Sequence, residues 1–297
     1  MTEVVTLGEA LGVVSADRLR HDLTARLDVA GPELTTAIGM ARLGHSATWV
    51  GRVGDDEIGA RVLAVLRGEG VDVSHARVDP SAGTGLILRQ RRVGRVRRTV
   101  HYRARSAGSR LSPADVPVDV VRSARVLHVT GITAAVSGTA WSAVHHAIKL
   151  AADAGVTVSV DVAHRPDLWP DHREAKETLT ELAKSADVLF VNADELELID
   201  TALSTVPEIV VTRGGKGASA TVGGIRYDAP AAPVTVVDPG GAGAAFAAGY
   251  LSALLEELHP AARLRRGAAL AAFTVASPSH WQGLPTRDEL PPATVPG

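Results

Sequence analysis

The chain has 297 residues, with 31 basic against 33 acidic side chains, a formal charge of −2, no cysteine and 45% hydrophobic residues. That length can bury a sizeable core. The charge balance argues against a partner held by bulk electrostatics, and the missing cysteine excludes disulfides, thiolate nucleophiles and Cys-based zinc or iron–sulfur sites.

Met1-Thr2-Glu3-Val4 lacks the basic and apolar regions of a signal peptide. The longest apolar run, Gly240 to Leu255, is 16 residues with four glycines, too short and too glycine-rich for a membrane span. A soluble, cytoplasmic protein without membrane contact is the expectation. In chain order, Leu23 to Val29 reads as exposed strand, and Thr84 to Arg105 as a β-hairpin folded about Val93-Gly94-Arg95. Such sheet material suggests a small flap or lid. From Val126 onward the pattern changes: Val126–Val129, Val156–Asp161, Val188–Val191 and Glu208–Val211 read as short apolar strands. Helical spacing fills Ala140–Ala154 and Arg173–Ser185 between them. Alternation of this kind indicates βαβ units and a mostly parallel sheet covered by helices, with ligands at the carboxyl ends of the strands. A Pro-rich tail closes the chain at 291–296.

The strongest local motif is Val236 to Gly249, VVDPGGAGAAFAAG: a strand ending at Asp238, a glycine-rich turn, and a helix beginning near Ala242. Free amides at a helix N-terminus with glycines beside them make an anion cradle, although close strand–helix packing would select the same small residues. No GxxxxGK[ST] is present, and Phe246 stands where a dinucleotide fingerprint needs Gly or Ala. Thr212-Arg213-Gly214-Gly215-Lys216-Gly217 follows a strand and suits either a hairpin turn or a nucleotide loop. Asn192 and Glu195 suit water-mediated Mg²⁺ or phosphate binding, and equally a helix cap. Asp161, His164, Asp167 and His172 match no familiar zinc spacing. Nine Arg and no acidic residue lie between Arg89 and Arg110, either a solvated hairpin face or an anion-attracting flap. Tyr102 is the one aromatic there, too few for RNA stacking.

Taken in order, these pieces resemble the PfkB (ribokinase-like) carbohydrate kinases, and among them 2-keto-3-deoxygluconate kinase. The resemblance rests on Ala30-Gly31-Pro32-Glu33-Leu34-Thr35-Thr36-Ala37 with Ala41-Arg42-Leu43-Gly44, and on Val50-Gly51-Arg52-Val53-Gly54-Asp55-Asp56 with Gly59. Thr84-Gly85-Leu86, Tyr102-Arg103 and Ser106-Ala107-Gly108-Ser109 continue it. His128 to Ile132, Asp161-Val162 with Arg165-Pro166, and Trp281 to Thr286 complete it across nearly the whole chain. It implies one ribokinase-like α/β domain over 1–297: a three-layer, mostly parallel sheet flanked by helices, with lid segments near 10–36 and 84–108. The implied reaction is ATP-dependent phosphorylation of a sugar hydroxyl, with Mg²⁺, on a small-molecule sugar or sugar acid.

By the same resemblance, Gly241, Ala242 and Gly243 form the anion hole. Gly31, Thr35, Arg103 and Arg165 bind substrate, the two Arg taking a carboxylate. Thr212, Gly214 and Gly217 bind nucleotide, while Asn192 and Glu195 act indirectly on Mg²⁺. A homodimer through the lid strands is also implied. The chain departs from the pattern where it matters most: the signature GAGD, whose Asp is the base, reads Gly241-Ala242-Gly243-Ala244. Thr35, Ala163 and Gly267 replace usual Asn residues, and Ile87 and His101 replace lid tyrosines. Asp238 lies six residues before Ala244 and is badly placed to substitute. Two expectations follow, an acidic-sugar kinase or an impaired relative that binds a sugar acid or nucleotide.

Overall fold

The computed structural model describes residues 2–92, 95–199, 201 and 203–290, with backbone only at 91–92 and 95–97. The first half runs β1 (Val4–Leu7), β2 (Leu11–Ala16), β3 (Arg26–Ala30), α1 (Pro32–Arg42), β4 (Ala47–Val50), β5 (Arg52–Gly54), α2 (Glu57–Gly68), β6 (Arg77–Asp79), β7 (Leu86–Arg92) and β8 (Arg95–Tyr102). Then come α3 (Val118–Ser123), β9 (Val126–Thr130), α4 (Gly131–Val136), α5 (Gly138–Asp153), β10 (Thr157–Asp161), α6 (His172–Lys184) and β11 (Val188–Asn192). The chain closes with β12 (Glu208–Thr212), β13 (Ala218–Val222), β14 (Ile225–Ala229), α7 (Ala242–Leu255) and α8 (Pro260–Val275).

Eight strands form the main sheet in the order β14-β13-β12-β11-β10-β9-β1-β4. The six from β4 to β12 are parallel, and β13 and β14 return antiparallel. Its strands read as continuous Val and Leu because helices cover both faces. Leu34, Val62, Tyr250 and Leu264 fill one side from α1, α2, α7 and α8. Val121, Ala134, Ala147 and Leu179 fill the other from α3 to α6. Helix α7 is apolar around its whole circumference, as a helix buried on all sides must be. It lies so close to α1 that a Cβ at Gly39 would sit 2.6 Å from the Ala248 methyl. Among the described residues no helix is long and apolar enough to cross a membrane.

The lid is a second sheet, β3-β2-β7-β8, with Leu11, Val13, Ala30 and Ile87 buried on its inner face. Several expected boundaries are corrected. Residues 23–25 are not strand, and Pro32 to Thr36 belong to α1 rather than the lid. The hairpin tip at 93–94 and the tail at 291–296 lie outside the described residues. No strand ends at Asp238 either: no sheet edge runs alongside, and the Val237 and Asp238 amides donate instead to the Val275 carbonyl at the end of α8.

The end of α7 is tied to the middle of α8 and to the C-terminal segment by a charge network. Glu256 accepts from Arg287 and, at 2.9 Å, from Arg266. Burial works against its charge, but the two guanidiniums prevail and hold its carboxyl at about 2 instead of 4.5. A depressed carboxylate stabilises the fold above its ordinary pKa, and that contribution disappears as pH falls from 4.5 through about 2. The full shift corresponds to about 3 kcal/mol, reduced by solvent screening to about 1–2 kcal/mol. Glu256→Gln is expected to flatten the acid limb of stability by that amount, read from urea midpoints between pH 5 and 2.

Candidate active site

The glycine-rich turn is built as a helix N-terminus. Gly241 caps α7 at φ +83°, and a Cβ there would lie 2.2 Å from the His280 carbonyl oxygen, so only glycine fits. The amides of Gly243 and Ala244 fall in the first turn, which has no intrahelical acceptor, and point their partial positive charge outward.

Two cavities meet at this turn. The first, about 510 Å³, lies between the lid's inner face and the carboxyl ends of the parallel strands. It brings together Gly31, Thr35, Arg103, Arg165 and Gly241 to Ala244 from distant parts of the chain. The second, about 610 Å³, runs along the hairpin between β12 and β13, where it touches Thr212, Gly214 and Gly217. Its far wall is Val234, Val236, Phe246, Ala268, Ala271 and Val275, an apolar slot. Pro239, Ala242 and Gly243 line both cavities. Lys216 is exposed and does not line this slot.

Charge in the first cavity is mostly committed. Arg103 donates through Nε to Glu9 Oε2 at 2.8 Å, with Nη2 on the same oxygen, while Ser106 Oγ holds Oε1. The two arginines paired by resemblance therefore differ, because Arg103 is already neutralised. Arg165 is exposed to the cavity and, among the described residues, donates to its neighbour's carbonyl, His164 O, at 2.8 Å. Ala163, at φ +40°, makes the sharp turn that delivers it there. Asp161 ends β10, lies 3.7 Å from where a Cβ on Gly243 would be, and has no salt bridge among the described residues. Burial, reinforced by the nearby Glu195 carboxylate, pushes its carboxyl up to about 7. His101 is lowered by burial and by Arg103.

Asn192 and Glu195 line neither cavity. Asn192 Oδ1 accepts from the amides of Asp194 and Glu195, and Glu195 accepts from the amides of Asn192 and His164. They form a capping box behind Asp161. Gly267 is likewise outside the second cavity: it packs against Phe246, where a Cβ would come within 3.0 Å of the ring. Among the described residues no group of three His, Cys, Asp or Glu can hold a metal. Sequence reasoning gave no role to Glu9, Arg89 or His280, all three in the wall of the first cavity. Only the alternation Ile87, Arg89 along β7 hinted that Arg89 faces inward.

Two pockets meeting at one helix N-terminus suit group transfer between two bound molecules, and a family model described as pfkB family carbohydrate kinase matches residues 1–287. The chain belongs to the PfkB family of carbohydrate kinases. Bacillus subtilis 2-dehydro-3-deoxygluconokinase is 35% identical over 97% of this chain and 94% of its own length. A PfkB protein crystal structure from Polaromonas sp. JS666 superposes at TM-score 0.89 with 32% identity, covering 97% of this chain and 99% of that one. An Escherichia coli protein described as ribokinase II, solved with ATP and Mg²⁺, reaches TM-score 0.88 at 23% identity over 97% of both chains and bears on the fold alone. The fold is the ribokinase-like α/β fold. Ala244 is a buried methyl in the wall of the first cavity.

Proposed function

We propose that this protein transfers the γ-phosphate of ATP to a hydroxyl of an acidic sugar such as 2-keto-3-deoxygluconate, slowly, without a side-chain base at position 244. The observation that carries this reading is the meeting of the two cavities at the turn from Gly241 to Ala244. In this reading the sugar acid lies under the lid with its carboxylate on Arg165, the cavity arginine that no carboxylate occupies. ATP lies along the apolar slot, with its phosphates reaching the amides of Gly243 and Ala244.

The hydroxyl oxygen bonds to the γ-phosphorus as the bond to the bridging oxygen breaks, and ADP leaves. The amides stabilise charge on the transferring group. In a loose transition state the hydroxyl proton departs late, passing to an oxygen of the transferred phosphoryl group and then to solvent, so positioning alone supports some turnover. Mg²⁺ accompanying ATP would neutralise phosphate charge, and Glu195, with both oxygens on backbone amides, would meet it only through water. The lid edge at β8, with Tyr102 exposed, is the surface proposed for a homodimer, checked by sedimentation.

The test is ATP consumption with 2-keto-3-deoxygluconate beside neutral sugars, with binding followed by calorimetry. Slow turnover confined to the sugar acid supports the proposal, and an ordinary rate on a neutral sugar would sink it. Arg165→Gln is expected to raise KM for the sugar acid about 10–100-fold, the loss of one charge-assisted carboxylate contact, with kcat nearly unchanged. A second reading is favoured by Ala244 specifically: a non-catalytic protein that binds the sugar acid or nucleotide as a sensor or partner subunit. Tight binding with no ATP consumed would select it.

A further inference from the structure

The acidic groups in the wall of the first cavity differ in what already holds them. Glu9 is held by Ser106 and by Arg103, whose Nε lies at 2.8 Å. Asp238 Oδ1 accepts from Arg89 Nη2 at 3.0 Å and from the Gly240 amide at 2.9 Å. Asp167 is exposed in the loop after β10. Asp161 is different. Half-buried at the end of β10, it has no ion pair among the described residues and accepts from the Ala163 amide. The histidines of the same wall are poorer acceptors. Arg89 Nη1 lies 2.6 Å from His280 Nε2, and a guanidinium only donates, so the lone pair of that nitrogen is taken. His101 stands on lid strand β8, where burial and Arg103 lower its pKa.

Position decides what Asp161 can reach. Strand β10 lies inside the main sheet between β9 and β11, and its carboxyl end meets the N-terminus of α7. Asp161 Oδ2 is 3.7 Å from where a Cβ on Gly243 would be, so the carboxylate faces the first turn of α7 beside Ala244. The Ala244 methyl, in the same wall, accepts no proton.

We propose that Asp161 is the proton acceptor for the sugar hydroxyl in this protein, reached through one water. A γ-phosphate on the amides of Gly243 and Ala244 brings the attacking hydroxyl to the turn that Asp161 faces. The hydroxyl O–H bond breaks toward the water, and the water gives one of its own protons to Asp161 Oδ2. The freed oxygen bonds the γ-phosphorus as the bond to the bridging oxygen breaks. After ADP leaves, Asp161 returns the proton to solvent. Transfer to a phosphoryl oxygen needs no side chain, and Asp161 adds a faster route beside it. Burial and the Glu195 carboxylate push the Asp161 carboxyl up to about 7, so near neutral pH it is partly ionised and basic enough to serve. A relay through water is less efficient than a base in direct contact, which keeps turnover slow.

This inference rests on the kinase reading, and the experiment separates the two. ADP release with ATP and 2-keto-3-deoxygluconate would be measured on the native protein, Asp161→Asn, Ala244→Asp and the double variant. Asp161→Asn keeps the side chain's shape and removes an unpaired buried charge, so its thermal midpoint should not fall. Its kcat should drop about 10-fold or more, with KM for the sugar acid nearly unchanged. Where Ala244→Asp supplies a direct acceptor, adding Asp161→Asn should cost less than about 3-fold, the non-additivity of two groups that serve one step. An equal fall in both backgrounds would mean that Asp161 maintains the site or its Mg²⁺ instead of taking the proton, which overturns the proposal. So would an unchanged kcat in Asp161→Asn. If neither the native protein nor Ala244→Asp consumes ATP, the kinase reading itself falls, and this proposal with it.

Discussion

Ala244→Asp is expected to raise kcat for phosphorylation of 2-keto-3-deoxygluconate by about 10²–10⁴-fold, the ordinary contribution of a positioned general base. The methyl of Ala244 lines the first cavity in the first turn of α7. The helix dipole favours a carboxylate there. The local backbone has no reason to shift, since Thr36 Oγ1 holds the Ala244 carbonyl at 3.3 Å and the substitution leaves that oxygen unchanged. Asp161, facing the neighbouring Gly243, would raise the new carboxyl somewhat by like-charge repulsion, keeping it basic enough to take a proton. The check is a coupled ADP-release assay on both proteins at matched sugar concentrations. A rise of this size shows an intact site lacking one group. Equal and ordinary rates would mean that another group serves as base. If both proteins bind the sugar acid and neither turns over, the other substitutions have dismantled the reaction and the binding reading stands.

Glu208→Ala should cost about 3–5 kcal/mol of stability, the largest loss expected from any single change outside the site. Glu208 is buried at the start of β12, and both its oxygens accept from Arg263 Nη1, at 3.1 and 3.0 Å. Tyr250, fully buried on α7, donates its hydroxyl to Glu208 Oε1 at 2.5 Å. Burial and the Glu208 charge push the Tyr250 hydroxyl pKa well up, so it stays a donor. One carboxylate therefore joins the sheet to α7, which opens at the glycine turn, and to α8, which lines the second cavity. Removing it leaves a guanidinium with its Nε bond to the Leu258 carbonyl and a buried hydroxyl without an acceptor. Urea unfolding midpoints would show the loss, and Tyr250→Phe should cost only about 1 kcal/mol because the ion pair survives. A Glu208→Ala midpoint within 1 kcal/mol of native would show that water enters and replaces the carboxylate.

Much of the architecture was legible in local pattern. The strands from β9 to β12 and the helices α5 and α6 lie within two residues of where periodicity puts them, because apolar spacing and turn residues are properties of short windows. The expected strand before Asp238 failed for a physical reason. Extended backbone becomes strand only beside a partner, and the Val237 and Asp238 amides find the end of α8 instead. Asn192 and Glu195 show the opposite difficulty, since one pattern fits a helix cap and a metal neighbour equally, and their hydrogen bonds are those of a cap.

By itself the sequence determined the alternation that makes a parallel sheet, the glycine turn that opens α7, and the alanine that follows it at 244. Each of these is written in adjacent residues. Only the tertiary structure decided which arginines are free for an anion. Arg103 is spent on Glu9, 94 positions away, and Arg89 on Asp238, 149 positions away, while Arg165 faces the cavity with no ion pair among the described residues. Ion pairing depends on where the chain brings charges together, and spacing along the sequence holds no record of that.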